Sequence, residues 1–429
     1  MAGVFVALMA IGFPIAFSLA VAGALSIFLS PGGAQLLPTI PQEIFRSLNS
    51  FVLLTIPLFI LAGTIMAQGG IAGRLMDLAR ITVGRGRGGL GAAIVVSTMF
   101  FHGISGSSTA DTAAIGRVTL PELIKQNYPV PFSTAMVAAA GATATLIPPT
   151  IDLIIIGIVA NISIAGLFAA GVIPACINGF GLICMVLLIS RRRNYGLSDS
   201  AFSSTGLVEK LRILVRAIPA LFMVVIILGG ILGGVFTPTE ASAVAVVYGT
   251  FISVFVYRTL TVCMIPAIAR SALELAGCVM VVIAMGSVLS YAMTVNEIPG
   301  RIATFMAGLS SNKDVFLLLV QILFFCIGMI MDGVPALLIL MPILTPIAIN
   351  YGVNPIHFGI AVEATVAIGL AMPPVGMCLY AACSVTRMPL ERVIKPLVPL
   401  IAILIVTMLV ITYVAGFSLF LPRLLHLTT

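Results

Sequence analysis

Apolar residues run along this chain in long blocks, with short polar groups between them. Uncharged, mostly apolar stretches fall near residues 2–30, 51–68, 88–101, 132–160, 164–190, 217–236, 241–257, 272–293, 314–330, 334–349, 355–383 and 397–421. About 20 apolar residues is the length that crosses a bilayer as a helix. The pattern therefore predicts an all-α polytopic membrane protein. Two shorter stretches, 41–49 and 260–271, are amphipathic, carry Arg46 and Arg270, and predict helices lying along the membrane interface. Residues 194–215 form the one long polar loop and divide the chain into two similar halves. Pro14 interrupts the opening stretch, which reads either as one tilted helix or as a short helix followed by a full span.

Composition agrees with the pattern. Of 429 residues, 60% are hydrophobic and 8% charged, with mean hydropathy +1.23. A soluble domain carries about 25% charged residues, and a surface this apolar would not stay in water. The first residues lack a charged n-region, so the opening stretch is expected to be a retained helix, not a cleaved signal. The seven cysteines are scattered without a CxxC pair and read as small buried hydrophobes. Three dispersed histidines argue against a transition-metal centre.

The net charge of +7 sits in loops, which points to topology and not to nucleic acid. Arg74, Arg80, Arg85 and Arg87, Arg117 with Lys125, Arg191–Arg193, Arg212 with Arg216, Arg258, and Arg387 to Lys395 all belong on the cytoplasmic face. If Arg87 and Lys125 share a face, residues 88–124 must enter and leave the membrane by one side. A re-entrant helical hairpin does this, with FHGISGSSTAD (101–111) at its tip. Spans 132–160 and 164–190 then cross out and back, returning Arg191–Arg193 to the cytoplasm.

The second half repeats the plan upside down. Residues 314–349 form two short apolar segments broken at GMIMDGVPA (328–336), entering from the outer face. The next stretch of each half carries a double proline, in ATLIPPT (144–150) and GLAMPPVG (369–376). Pro148 and Pro373 are 225 residues apart, as are Pro121 and Pro346. Shared spacing with opposed hairpins predicts an inverted-topology repeat.

The polar breaks carry the chemistry. Pro148–Pro149 and Pro373–Pro374 remove amide donors and clash with the preceding turn, so the helix opens there. Open backbone at membrane depth is tolerated only inside protein or around a water-filled cavity. Carbonyls such as those of Thr145, Leu146, Gly369 and Met372 are then free to meet a hard cation, and sodium is the ion expected. At the first tip Gly103 and Gly106 allow a tight turn, and Ser105, Ser107, Ser108 and Thr109 supply hydroxyls. The amides starting the next helix favour an anion such as a carboxylate. The second tip repeats this with Gly328, Asp332 and Gly333.

Each feature also has a plainer reading. Small residues commonly serve helix packing. Asp111 and Asp332 are equally suited to capping a helix. Asp152, Glu274 and Glu363 lie in apolar surroundings, where they either act directly or are structurally paired. Glu240 in FTPTEAS falls in an outer loop and fits a helix cap. His102 is either a proton relay or a buried histidine bonded to backbone.

The motifs together resemble the large membrane subunit of tripartite ATP-independent periplasmic (TRAP) transporters, the DctM type. The carriers of the resemblance are GISGSSTADTAAIG with P-E-L after it, TLIPPT, GLFAAGVIPA (166–175), LTIPLFILAG (54–63), FTPTEASA (236–243) and AMPPVG (371–376). It covers essentially the whole chain. What it implies is import of organic acids across the bacterial inner membrane, driven by a sodium gradient. No cofactor is implied beyond Na⁺ as coupling ion. The implied partners are a small four-helix membrane subunit (DctQ type), a periplasmic substrate-binding protein (DctP type) and the lipid bilayer, with no nucleic acid. The small subunit is expected on a separate polypeptide unless it has been trimmed from this one.

The implied fold is an ion-transporter-type elevator. Residues 1–80 form a first scaffold with arm helices, 81–190 a first transport unit, 191–216 a cytoplasmic connector, 217–300 a second scaffold, and 301–429 a second transport unit with the C-terminal helix. By position, the resemblance implies sodium sites at Ser105, Gly106, Ser107, Ser108 and Thr145, and at Gly328, Met331, Gly333, Thr365, Gly369 and Met372. It implies substrate contacts at Ser107, Thr109, Asp111, Asp332, Pro148 and Pro373. A stand-alone divalent anion–sodium symporter of the same fold is the alternative. An intramembrane hydrolase is disfavoured because neither HExxH nor GxSxG occurs. Nothing suggests the symmetric ring of charge that lines many ion channels.

Overall fold

The structure, a computed structural model, describes residues 2–84, 86–196, 206–309 and 312–427. Arg85 and most of the connector, residues 197–205, lie outside the described residues. Among the described residues all regular structure is helical.

The first half runs α1 Ala2–Ala10, α2 Ile15–Phe28, α3 Gly33–Leu36, α4 Thr39–Leu48, α5 Thr55–Gln68, α6 Ile71–Val83, α7 Gly89–Ser105, α8 Ser108–Lys125, α9 Val130–Ala144, α10 Ile151–Val159 and α11 Ile164–Arg193. The second runs α12 Leu207–Leu232, α13 Pro238–Phe251, α14 Ile265–Val295, α15 Ile298–Leu309, α16 Lys313–Gly328, α17 Gly333–Asn350, α18 Pro355–Gly369, α19 Met377–Thr386, α20 Leu390–Tyr413 and α21 Ala415–Leu424. The 225-residue offset read from the prolines holds for whole helices. The bounds of α8 and α17 differ by 225 at both ends, 333 against 108 and 350 against 125, and α9 and α18 differ likewise.

Two helical hairpins are formed, α7–α8 and α16–α17. In the first, only Gly106 and Ser107 separate α7 from α8. Its open end lies beside the C-terminal end of α11: Arg87 donates to Asn194 at 2.6 Å, and Tyr128 packs on Tyr195 at 6.5 Å between ring centres. In the second, Phe316 and Tyr351 stack at 4.7 Å, closing the open end of α16–α17. Phe316 also stacks on Phe358, and the neighbouring Ile356 reaches Gly166 at the start of α11. The two hairpins therefore open at opposite ends of the 30-residue helix α11. The arginines ending α11 mark the first of these ends as cytoplasmic.

The halves interlock. After its break, the first broken helix continues as α10, which packs on the hairpin arm α17. After its own break, the second continues as α19, which packs on α8 and α9. Thr134 and Thr386 share a hydroxyl hydrogen bond of 3.2 Å across this junction. Each hairpin also leans on a long helix of its own half, α7 on α5 and α17 on α14.

Of the two readings of the opening stretch, the structure has the broken one: residues 2–28 form two helices parted by a turn before Pro14. The structure departs from the sequence pattern in three places. The helix of the second half starts at Leu207, inside the stretch taken for polar loop, because Leu211, Leu214 and Val215 extend its apolar pattern past Lys210 and Arg212. Residues 41–49 do lie in a separate amphipathic helix, α4, but 265–271 are the opening turns of the 31-residue α14. Pro266 sits in its first turn, where a helix tolerates proline, so nothing breaks it. Five of the seven cysteines face outward, leaving only Cys378 and Cys383 buried. Among the described residues, seven helices are long and apolar enough to cross a membrane, by length and composition alone. One of them, α17, is a hairpin arm, which length could not distinguish from a span.

Candidate functional site

The first tip is built from a left-handed residue. Gly106 has φ +68°, a conformation costly for any residue with a Cβ, and its amide donates to the His102 carbonyl at 2.9 Å, ending α7. Ser107 then starts α8 in extended conformation. The amides of Ser108, Thr109 and Ala110 in the first turn of α8 have no intrahelical acceptor, as at any helix start. The Ser107 amide donates to Ser105 Oγ at 3.3 Å.

Asp111 does not cap this helix. Its carboxylate turns back across the tip, with Oδ1 accepting the Ser105 hydroxyl and Oδ2 lying 2.7 Å from His102 Nδ1. His102 and Asp111 are fully buried. The histidine is thus held by a side chain and not by backbone, and its Nε2 has no partner.

The tip faces the first proline break. A Cβ on Gly106 would lie 3.3 Å from the Pro149 carbonyl oxygen, and one on Gly103 3.4 Å from that of Pro148. Of the other carbonyls expected to be free, that of Leu146 turns toward Gly171 of α11. The Thr145 hydroxyl donates to the Ala142 carbonyl at 3.0 Å.

The second tip is docked on its break more closely. The Met329 carbonyl accepts the Val375 amide at 3.1 Å, and Gly328 crosses Gly369 backbone to backbone. Asp332 caps α17 through the Gly333 amide at 3.0 Å. The Gly369 carbonyl accepts the Met372 amide at 3.0 Å, so the local turn already uses it. Thr365 turns its hydroxyl away from the tip, to the Ala361 carbonyl and the Met408 sulfur. Asp152, at the start of α10, lies near Gly333, and it shares an electrostatic neighbourhood with Asp332 and Glu363. Glu363 is fully buried. Glu274 belongs to none of this: it is exposed and pairs with Arg270 at 2.9 Å.

A cavity of about 170 Å³ opens between the first tip and the long helices facing it. Ser105, Ser107, Ala110 and Asp111 line it from the hairpin, Gly63, Thr64 and Gln68 from α5, and Leu275 from α14. Of the expected substrate contacts, Ser107 and Asp111 line this cavity. Pro148 lines a separate apolar cavity between α7, α11 and α12, and Asp332 and Pro373 stand at the other tip. The α5 contribution was not anticipated from the sequence. Its signal was there: Thr64 and Gln68, spaced i, i+4, put two polar groups on one face of an apolar helix.

Comparison with known proteins decides the family. A model of the tripartite ATP-independent periplasmic transporter, DctM component, matches residues 2–417. The chain belongs to this DctM family. A C4-dicarboxylate TRAP transporter large permease protein of Pseudomonas aeruginosa is 38% identical over 96% of this chain and 95% of its own length. A sialic acid TRAP transporter large permease protein of Vibrio cholerae is 32% identical over 96% and 95%. An isethionate TRAP transporter permease protein, DctMQ, of Oleidesulfovibrio alaskensis is 37% identical over 97% of this chain, which spans 65% of that relative. Among solved structures, the Alcanivorax borkumensis YdaH transporter superposes with TM-score 0.63 at 14% identity, covering 91% of this chain and 90% of its own. This DctM-family chain therefore shares an all-helical transporter fold, and its family is one of permeases and not enzymes.

Proposed function

We propose that this chain is the large membrane subunit of a sodium-coupled importer of organic acids in the bacterial inner membrane. It works with a small four-helix subunit of the DctQ type and a periplasmic binding protein of the DctP type. The observation that carries the reading is the facing pair at the first tip: a hydroxyl-rich hairpin turn set against the Pro148 and Pro149 carbonyls of a proline-broken helix.

Those oxygens suit a hard monovalent cation. Ser105, Gly106, Ser107 and Ser108 with Thr145 form the first candidate sodium site, joined by the Pro148 and Pro149 carbonyls. Gly328, Met331, Gly333, Thr365, Gly369 and Met372 form the second. The first amides of α8 suit an acidic substrate, with Ser107 and Asp111 lining the cavity beside them and Thr109 next to them in the chain. Asp332, Pro148 and Pro373, the other candidate substrate contacts, do not line this cavity. Alternating access follows if the hairpins and broken helices move as one body against a scaffold of α2, α4, α5, α12, α13 and α14. The interlocking of α10 with α17 and of α19 with α8 supports such a body.

The test is uptake of organic acids into proteoliposomes holding the chain with its small subunit. Uptake should require the binding protein and follow an inward sodium gradient. Uptake that runs at full rate in potassium with no binding protein would refute the reading.

A further inference from the structure

A second polar cavity, of about 740 Å³, shares no lining residue with the one at the first tip. Arg74 and Asp77 of α6, Arg216 of α12 and Tyr257 after α13 line it, with Val215 and Val256. Its arginines place it at the cytoplasmic face. Gly73 leaves it open, since a Cβ there would meet nothing within 4 Å.

The walls are tied together. Thr259 donates its hydroxyl hydrogen to the Gly69 carbonyl at 2.8 Å, and Tyr257 donates its own to the Arg216 carbonyl at 2.9 Å. Arg74 is fixed between them. Its Nη1 donates to the Gly70 carbonyl at 2.8 Å, and its guanidinium carbon lies 3.7 Å from the centre of the Tyr257 ring. Its Nε and Nη2 donate to nothing among the described residues. An arginine already held in place loses little freedom when it binds an anion.

The charges of the lining do not balance. Arg80, the next arginine of α6, is taken by Glu122. Arg216 is exposed and has no ion pair among the described residues. Arg74 and Arg216 therefore share one carboxylate, that of Asp77, and one positive charge is left over. Guanidinium donors in a fixed fork suit a phosphate. The apolar part of the lining says which kind. Val215 is 56% and Val256 49% exposed, with Ile213 and Pro219 beside them in the lining. A free phosphate ester gains nothing from these side chains, whereas a lipid lays its glycerol and first acyl carbons on them. Basic pockets between membrane helices at the cytoplasmic face take lipid headgroups in this way.

We propose that this cavity holds one anionic phospholipid of the cytoplasmic leaflet, with its phosphodiester on Arg74 and Arg216 and its first acyl carbons on Val215 and Val256. The phosphodiester of a phosphatidylglycerol brings the single negative charge that the lining lacks. The site is independent of the tips and of what the chain carries.

The experiment is a thermal-shift titration of the full chain with its small subunit in detergent. The probes are dioctanoyl phosphatidylglycerol, dioctanoyl phosphatidylcholine and glycerol phosphate. The phosphatidylglycerol should bind at least ~5-fold tighter than the phosphatidylcholine, the gain expected from one unbalanced arginine. Glycerol phosphate, which lacks acyl chains, should bind more weakly than the phosphatidylglycerol. Arg216→Gln should bring the two lipids to within about 2-fold of each other, and Arg216→Lys, which keeps the charge, should keep most of the preference. Gly73→Leu fills the cavity and should abolish saturable binding of the phosphatidylglycerol.

Equal binding of the two lipids, or silence of all three probes, overturns the proposal. Glycerol phosphate binding as tightly as the phosphatidylglycerol also overturns it, and makes the cavity a site for free phosphate esters. A preference unchanged in both Arg216→Gln and Gly73→Leu moves the lipid elsewhere on the protein and overturns it as well. Leucine forms helix better than glycine does and meets open space at residue 73. Should a variant nevertheless fail to fold, the ranking of the three probes on the unaltered chain still decides.

Discussion

Gly63 of α5 lies directly against Ser105 at the first hairpin tip. A Cβ on residue 63 would come 2.6 Å from the Ser105 Cα and 2.8 Å from its carbonyl oxygen. These are backbone atoms, so no side chain can swing aside to make room. Gly63→Ala should therefore force the tip away from α5, at a cost of about 1–3 kcal/mol to this arrangement. A lowered unfolding midpoint together with slowed uptake is expected. Wild-type values of both would show that the tip does not press on α5.

The hydroxyls at the tip should tune the ion response. Ser107→Ala or Ser108→Ala removes one oxygen without disturbing a helix core, and both variants should reach the membrane normally. Half-maximal uptake should shift to several-fold higher sodium, on the order of the 0.5–1.5 kcal/mol that one polar contact contributes net. Sodium titration of uptake in proteoliposomes measures it, and an unchanged curve in both variants counts against a cation at this tip.

His102 holds Asp111 from below. His102→Leu strips a donor from a fully buried carboxylate, which should cost about 1–3 kcal/mol or more. His102→Gln offers an amide donor from a similar position and should recover part of that loss. The check is the unfolding midpoint of both variants in detergent. If Gln and Leu behave alike, the hydrogen bond from residue 102 is not what steadies the tip.

On the outer side, Thr237 and Glu240 cap α13 reciprocally. The Thr237 amide donates to Glu240 Oε2 at 2.8 Å and its hydroxyl at 2.9 Å, and these bonds hold the exposed carboxyl below its ordinary value of 4.5. A depressed value means that the ionised form is the one the fold favours. The cap's contribution is therefore complete above pH 4.5 and is lost as pH falls through the lower folded value. Thr237→Ala removes the hydroxyl's bond, so its difference from wild type in unfolding midpoint should shrink below pH 4.5. A difference that is the same at acid and neutral pH would refute the cap.

Much of this architecture was legible before any coordinates. The prolines gave the two breaks, the glycines and serines gave the first tip, and the arginines required residues 88–124 to leave by the face they entered. These are local constraints. A proline removes its own amide, a left-handed turn needs its own glycine, and a positive charge stays on its own side of the membrane.

The residues that complete the site were harder to read. Thr64 and Gln68 lie about 40 residues before Ser107 along the chain, on a different helix. Their i, i+4 spacing marked a polar face but not what it faced. Asp152, Asp332 and Glu363 looked like three separate intramembrane acids, and only the packing of α10 on α17 and α18 brings them into one neighbourhood. Glu274 looked the same in the sequence and proved to be a surface residue, because the face of a long helix that meets lipid or water is set by its neighbours. The direction of a hydroxyl is decided in the same way. Ser105 and Thr365 are both small alcohols near a break, yet one is bound to Asp111 at the tip and the other turns to Met408.

The sequence by itself determined where backbone must open within the membrane, since that follows from covalent chemistry at each residue. Tertiary structure alone decided which open segment meets which tip and which oxygens remain free. Those outcomes depend on how helices far apart in the chain pack together, and packing is a property of pairs that no single stretch contains.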